Sequence, residues 1–574
     1  MEAYNRALLD TSNTLLDTAC ADGIDVDLKV KMESFLVAMK EAAESSFECI
    51  DPKRKQNYIN QETWALIELR QFAREEGDEE KENELTKEIK KNARNDKKNF
   101  AVSRFEKEGT IVEKWSEIKM AKKDFMPNFT RLKDIRGNRV PHGERAEATA
   151  EYLEQVQWTN ENTTPTKPNP ANIVLEDTGV PDGPIQEHEL DHSINALKKN
   201  KAPGPDQCTT ELFKYLNREA KTLLLTLLNH LWESEQVHPE FLQASVASIF
   251  KKGDIEDLAN YRPISLLNTM YKLLASIIQT RLSSHLEKHL QKTQFGFRAN
   301  KSTAQALFIA RRLQDYAESS GEGLIFVFLD WEKAFDKINH HRLIEALERL
   351  NIPTKVINVI KALYSQPSFR VSKDNEHSEF KQQLSGIRQG CPLSPYLFIL
   401  VMSVMFYDIH SEVGESIKEG LIKGFDESEI LYADDTMLVL KNDTSINTLL
   451  QAIGKESAYY GLRLNKTKCE YISMNTECSI QFSDGSLMKN GKPVTYLGGI
   501  INEKINNREE VDTRISCTLP VLNALNSFWK KAKVSTKWKI EIYSSVVVSK
   551  LLYGLETLQY NERTFSKIDT FQMK

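Results

Sequence analysis

The chain has 574 residues, of which 40% are hydrophobic and 28% charged, and a net charge of −6 at pH 7. That balance fits a globular protein with several buried cores and excludes a disordered or collagen-like chain. Seven scattered cysteines (Cys20, Cys49, Cys208, Cys391, Cys469, Cys478, Cys517) with no two-residue spacing exclude a disulfide framework and a zinc knuckle, and point to reduced thiols.

The start, Met1-Glu2-Ala3-Tyr4-Asn5, has no signal-peptide pattern, and no apolar run is expected to cross a bilayer. An intracellular protein with no membrane partner is the expectation. The acidic total argues mildly against nucleic acid, yet residues 87–136 hold 15 Lys/Arg against 8 Asp/Glu, so a local basic face can coexist with it. A solvated helix surface of mixed charge explains that stretch equally well.

Residues 1–158 are rich in Glu, Lys, Ala and Leu, with apolar residues at three- and four-residue spacing in Leu28 to Ala43 and Trp64 to Arg74. They predict a helical N-terminal extension. Thr159 to Asn172 is polar with three prolines, so residues 159–184 read as a linker. From residue 185 helices and strands alternate without an internal repeat, as in an α+β core. Val246 to Phe250 is an apolar run followed by Lys251-Lys252-Gly253-Asp254, readable as a hairpin tip. Gly323 to Leu329 is a near-continuous apolar run, a buried strand with Asp330 at its end. Helical spacing follows over Glu332 to Leu350. Pro395 suits the first turn of a helix over Tyr396 to Phe406. Ile430 and Leu431, then Met437 to Leu440, flank Tyr432-Ala433-Asp434-Asp435 as strand, tight turn, strand.

Two adjacent carboxylates at such a turn repel each other and are costly to desolvate unless a divalent cation neutralises them. Asp330 beside this hairpin would complete three carboxylates around two Mg²⁺ ions. Alone, Asp330 reads more readily as a cap of the following helix, and only the further motifs reverse that preference.

The ordered segments 328–338 (FLDWEKAFDKI), 386–395 (GIRQGCPLSP) and 432–435 (YADD) resemble the core motifs of reverse transcriptases of non-LTR, LINE-type retrotransposons. Lys201 to Asp206, Asn260 to Ser265 and Gln294 to Arg298 are similar to the fingers motifs. Gly461 to Asn465 with Lys468, and Tyr496-Leu497-Gly498, are similar to those closing the palm. The resemblance implies a right-hand polymerase fold with fingers, a palm built on an antiparallel sheet and a helical thumb. It sets fingers and palm over 185–500 and the thumb over 501–574, cut short because the last residues stop within a continuing helix.

The resemblance also implies the roles. Asp330 and Asp434 would hold the metals with the Trp331 carbonyl, Asp435 would balance their charge, and Mn²⁺ is the alternative ion. Phe335 would collide with a ribose 2′-hydroxyl and admit deoxyribose; a core aromatic is the plainer reading. Gln389 and Gly390 would meet the nucleotide, and Arg388 the template or phosphate. Arg262, Lys251 and Lys252 would neutralise the triphosphate, although lysines at a hairpin tip are also a common solubility device. Lys468 would protonate the leaving pyrophosphate. Asp336, on the following helix, is expected to face away from the metals. Implied partners are an RNA template, a DNA primer and dNTPs. No endonuclease constellation is visible, so an inert RNA-binding or scaffold remnant of a retrotransposon protein is the competing reading.

Overall fold

The computed structural model describes residues 1–20, 28–47, 58–75, 78–106, 109–122, 132–159, 171–174, 176–373, 376–504 and 506–573. The chain forms two compact units, Met1–Glu48 with Phe129–Ile505, and Cys49–Asn128 with Asn506–Lys574. The N-terminal extension expected over 1–158 is therefore divided between them. Of the expected linker, residues 160–170 and 175 lie outside the described residues.

In the first unit, a five-stranded sheet has the order Lys489–Asn490, Glu470–Met474, Leu324–Leu329, Asp435–Leu440, Glu429–Tyr432. Leu324–Leu329 lies at its centre, antiparallel to both neighbours. Its unbroken apolar run follows from burial on both faces, because alternate residues point to opposite sides. Ile325, Val327 and Leu329 enter one core cluster, whereas Leu324, Phe326 and Phe328 enter another with Leu307 and Tyr496. The partner strand divides likewise, Leu438 and Leu440 to the first and Met437 and Val439 to the second. A one-residue slip would exchange the two sets, so the register is strongly specified.

The second sheet has the order Tyr261–Leu266, Gln243–Phe250, Ser368–Lys373, Glu376–His377. Gln243–Phe250 runs antiparallel to Tyr261–Leu266, which leaves Lys251 and Lys252 in the connection between them. The single helix expected over Glu332 to Leu350 is two, Ala334–Lys337 and His340–Arg349. Between them Ile338 leaves helical geometry, and Asn339 caps the second helix by accepting from the His341 and Arg342 N–H groups.

Ser394–Ile417 has proline in its first turn. The segment Ser394–Gly420 is long and apolar enough to cross a membrane, contrary to the expectation from sequence, and 67% of its apolar window is buried inside the fold. There it packs against Asp443–Tyr459 and His340–Arg349. Its composition thus reflects burial on several sides within the core. The paired helices Glu2–Cys20 and Leu28–Ser46 join the same core through Tyr4, Leu8, Met32 and Phe35, and pack on Arg218–Ser234.

The second unit is helical. Gln61–Glu75, Glu79–Glu106 and Ile111–Ala121 combine with Asn507–Ala524, Asn526–Lys531, Thr536–Ile542 and Glu562–Gln572. Phe105 and Ile118 from the early segment pack with Leu525, Phe528, Ile542 and Val546 from the late one. The helical body expected from residues 501–574 alone is therefore completed by residues 49–128.

Candidate active site

The register of the central sheet assembles the acids. Leu329 lies opposite Thr436 in an antiparallel pair. Continuing by one residue sets Asp330 beside Asp435, while Asp434 occupies the two-residue turn between Tyr432 and Asp435. Desolvation in the cleft raises the Asp434 carboxyl, and it raises that of Asp435 to about 6 with the added repulsion of Asp434 and Asp330. Mutual repulsion of this kind is what a bound cation relieves, and carboxylate oxygens suit a hard divalent ion. Among the described residues no three His, Cys, Asp or Glu side chains form a ready metal cage.

The turn is held from outside. Ala433 has φ +58, an unusual value for a residue with a Cβ. Its N–H donates to Gln294 Oε1 at 3.0 Å, and the Gly296 N–H donates to the same oxygen at 2.8 Å. A Cβ on Gly296 would stand 2.2 Å from the Ala433 nitrogen, so only glycine fits. Backbone bonds from Phe295 N–H to Leu431 O and from Leu431 N–H to Thr293 O complete the brace. The sequence marks Gln294 only as part of a segment similar to a fingers motif. Its amino-acid type gives no hint of a partner 139 residues away.

A cavity of about 630 Å³ opens beside the acids, lined by Asp330, Trp331, Phe335, Gln389, Gly390, Asp434, Arg262, Lys251, Lys252 and Lys468. Asp435 is not among its lining residues. Lys468 Nζ lies 3.3 Å from Asp330 Oδ2, with both side chains about half exposed, so water screens the pair. Partial burial lowers the Lys251 ammonium, and the charges of Arg262, Lys468 and Lys252 lower it further. These cations crowd one wall in the manner of an anion site.

Phe335 stacks on Phe398 at 4.6 Å and 7°, and meets Phe297 edge-on at 6.0 Å. The Trp331 side chain is buried and donates from Nε1 to Thr436 Oγ1 at 3.0 Å, tying the strand carrying Asp330 to the hairpin. Arg388 borders the cavity, but its guanidinium is turned to the protein and not to a ligand. It is 1% exposed, and its guanidinium donates to the Phe241 carbonyl at 2.7 Å and to that of Leu242. Gly390 has φ +123, and a Cβ there would lie 2.5 Å from Ser265 O, so its close backbone approach is to the second sheet. Asp336 is buried, and its carboxylate is hydrogen-bonded to Gln389, Gln157 and Trp158.

Residues 249–501 match the family model described as reverse transcriptase (RNA-dependent DNA polymerase). The chain is similar to the RNA-directed DNA polymerase from mobile element jockey of Drosophila melanogaster, at 27% identity over 64% of this chain and 41% of that protein. It is also similar to the Pol polyprotein of the type-1 retrotransposable element R2 of Popillia japonica, at 26% identity over 67% of this chain and 53% of that protein. A solved apo telomerase from Candida tropicalis aligns with 48% of this chain and 59% of its own, at 15% identity and a TM-score of 0.35. The chain spans less than half the length of the jockey protein. The sheet beside Asp330, Asp434 and Asp435 lies wholly within the matched region, and residues 249–501 form a reverse transcriptase domain similar to those of the jockey and R2 mobile elements.

Proposed function

We propose that the chain is an RNA-directed DNA polymerase that extends a primer 3′-hydroxyl with deoxynucleotides on an RNA template. The observation that carries this reading is the convergence of Asp330, Asp434 and Asp435 at one end of the central sheet, next to a cavity whose lining includes Arg262, Lys251, Lys252, Lys468 and Phe335. Asp330 and Asp434, with the Trp331 carbonyl, would hold two Mg²⁺ ions, which supply activation of the attacking hydroxyl and neutralise the leaving pyrophosphate. Asp435 balances the charge beside them. Arg262, Lys251 and Lys252 bind the triphosphate, a task suited to a planar guanidinium and mobile ammonium groups. Lys468 gives a proton to pyrophosphate as it leaves. Phe335 excludes the ribose 2′-hydroxyl, and Gln389 contacts the nucleotide. Primer and template are gripped by their backbones, because copying cannot depend on base sequence.

The test is primer extension by the purified chain on an RNA template with Mg²⁺. Asp330→Asn and Asp434→Asn each abolish extension while the protein stays folded by circular dichroism. Full activity in either variant excludes the metal assignment. A wild-type chain that binds RNA but never extends a primer, with Mg²⁺ or Mn²⁺, supports the inert scaffold instead.

A further inference from the structure

We propose that the helical turn ending at Trp158 is part of the nucleotide site, with Trp158 and Gln157 positioning Gln389 through the buried Asp336. The inference rests on reading the cavity as a deoxynucleotide site. It concerns a segment that neither the core motifs nor the matched family region includes.

The helix Arg145–Tyr152 widens into a π turn over Leu153–Gln157 and ends at Trp158. Single π turns often serve to re-aim side chains at functional positions. Trp158 is 1% exposed and packs edge-on against Phe369 at 4.5 Å. Its Nε1 donates to Asp336 Oδ1 at 3.0 Å, and Gln157 Nε2 donates to Asp336 Oδ2 at 2.9 Å. Gln389 Nε2 donates to both oxygens, at 3.1 and 3.0 Å. Three side chains from two distant segments thus share one carboxylate that is 3% exposed.

The other flank of Phe335 is tied to the same turn. Lys333 Nζ donates to Tyr152 Oη at 2.7 Å and to Gln157 Oε1 at 3.1 Å. Ser385 Oγ donates to the Asp336 carbonyl at 3.0 Å, which fixes the backbone as well. Gln157 itself lines the cavity.

A carboxylate only accepts hydrogen bonds, so the amide nitrogen of Gln389 must face Asp336. Its amide oxygen is then the end available to a ligand, and it accepts from a donor such as a sugar hydroxyl. Without the clamp the amide rotates freely and loses this preference. Trp158, Gln157 and Asp336 are therefore positioning residues, and Gln389 is the group that touches the nucleotide.

The experiment is equilibrium binding of fluorescently labelled dATP to the full chain with Mg²⁺, alongside thermal unfolding and primer–template binding. Trp158→Phe keeps an aromatic ring facing Phe369 and removes the N–H donor together with part of the indole, a packing loss that thermal unfolding reads separately. It should weaken dATP binding about fivefold, the order expected from one lost hydrogen bond, with primer–template affinity unchanged. In a Gln389→Ala background the same substitution should have no further effect. Gln157→Leu repeats the test independently should Trp158→Phe fail to fold. Unchanged dATP affinity in both variants, or an equal loss in the Gln389→Ala background, overturns the positioning role while leaving the nucleotide site intact. A wild-type chain that binds no dATP overturns the cavity reading and this inference together.

Discussion

At the residue scale, Phe335 shows how a site can be read from spacing and still depend on unseen neighbours. Its place five residues after Asp330 marks it as a candidate sugar gate. What makes a gate stiff is its packing, here the parallel stack on Phe398 and the edge contact with Phe297. A ring clamped on two sides is held in place, as the proposed gate requires. Phe335→Ala should raise the ratio of kcat/KM for ribonucleotides over deoxynucleotides by about ten- to hundredfold, the range a pocket wall achieves against one added hydroxyl. An unchanged ratio in single-nucleotide incorporation removes the gate role. Arg388 and Gly390 teach the opposite lesson. Both line the cavity, yet the Arg388 guanidinium is spent on the carbonyls of Phe241 and Leu242, and Gly390 makes room for Ser265. A motif says which residues recur together, but not whether each one faces a ligand or the protein behind it.

At the scale of elements, the acidic hairpin was legible because its chemistry is local. Apolar runs on either side of two acids leave little but a strand–turn–strand reading, and the unbroken run before Asp330 foretells a strand buried on both faces. The brace that holds the hairpin was not legible, since Gln294 acts across 139 residues through backbone N–H groups that carry no sequence signal. Its oxygen accepts from both Ala433 and Gly296 and so fixes a left-handed residue directly before Asp434. Gln294→Leu preserves size but removes the acceptor. The expected result is a fall in kcat of about ten- to hundredfold, as follows when reacting groups are misplaced by about an ångström. The KM for dNTP should change little, because the cavity walls stay in place. A proportional loss in dNTP affinity instead would assign Gln294 to general folding.

At the scale of the whole molecule, helical periodicity in residues 1–158 and 501–574 gave the right kind of structure and no hint of who packs with whom. An apolar stripe states that a helix face is covered without naming the cover. Ile118, 1% exposed, lies with Phe528 and Ile542 in a core drawn from both ends of the chain. Ile118→Asp buries a charge there and should destabilise the helical unit by about 3 kcal/mol. Limited proteolysis should then cut within residues 506–574, while the strands around Asp330 and Asp434 stay protected. Protection of both regions would mean that the late helices fold without the early ones.

That same two-ended core sets an order of events during synthesis. Residues 49–128 leave the ribosome long before the helices that cover Phe105 and Ile118 exist, and about 380 residues, the whole central sheet among them, must be translated in between. The early helices therefore wait with an apolar face open to solvent, at a time when contacts of such long sequence separation cannot form. The time that face stays uncovered is set by the speed of translation through the central region.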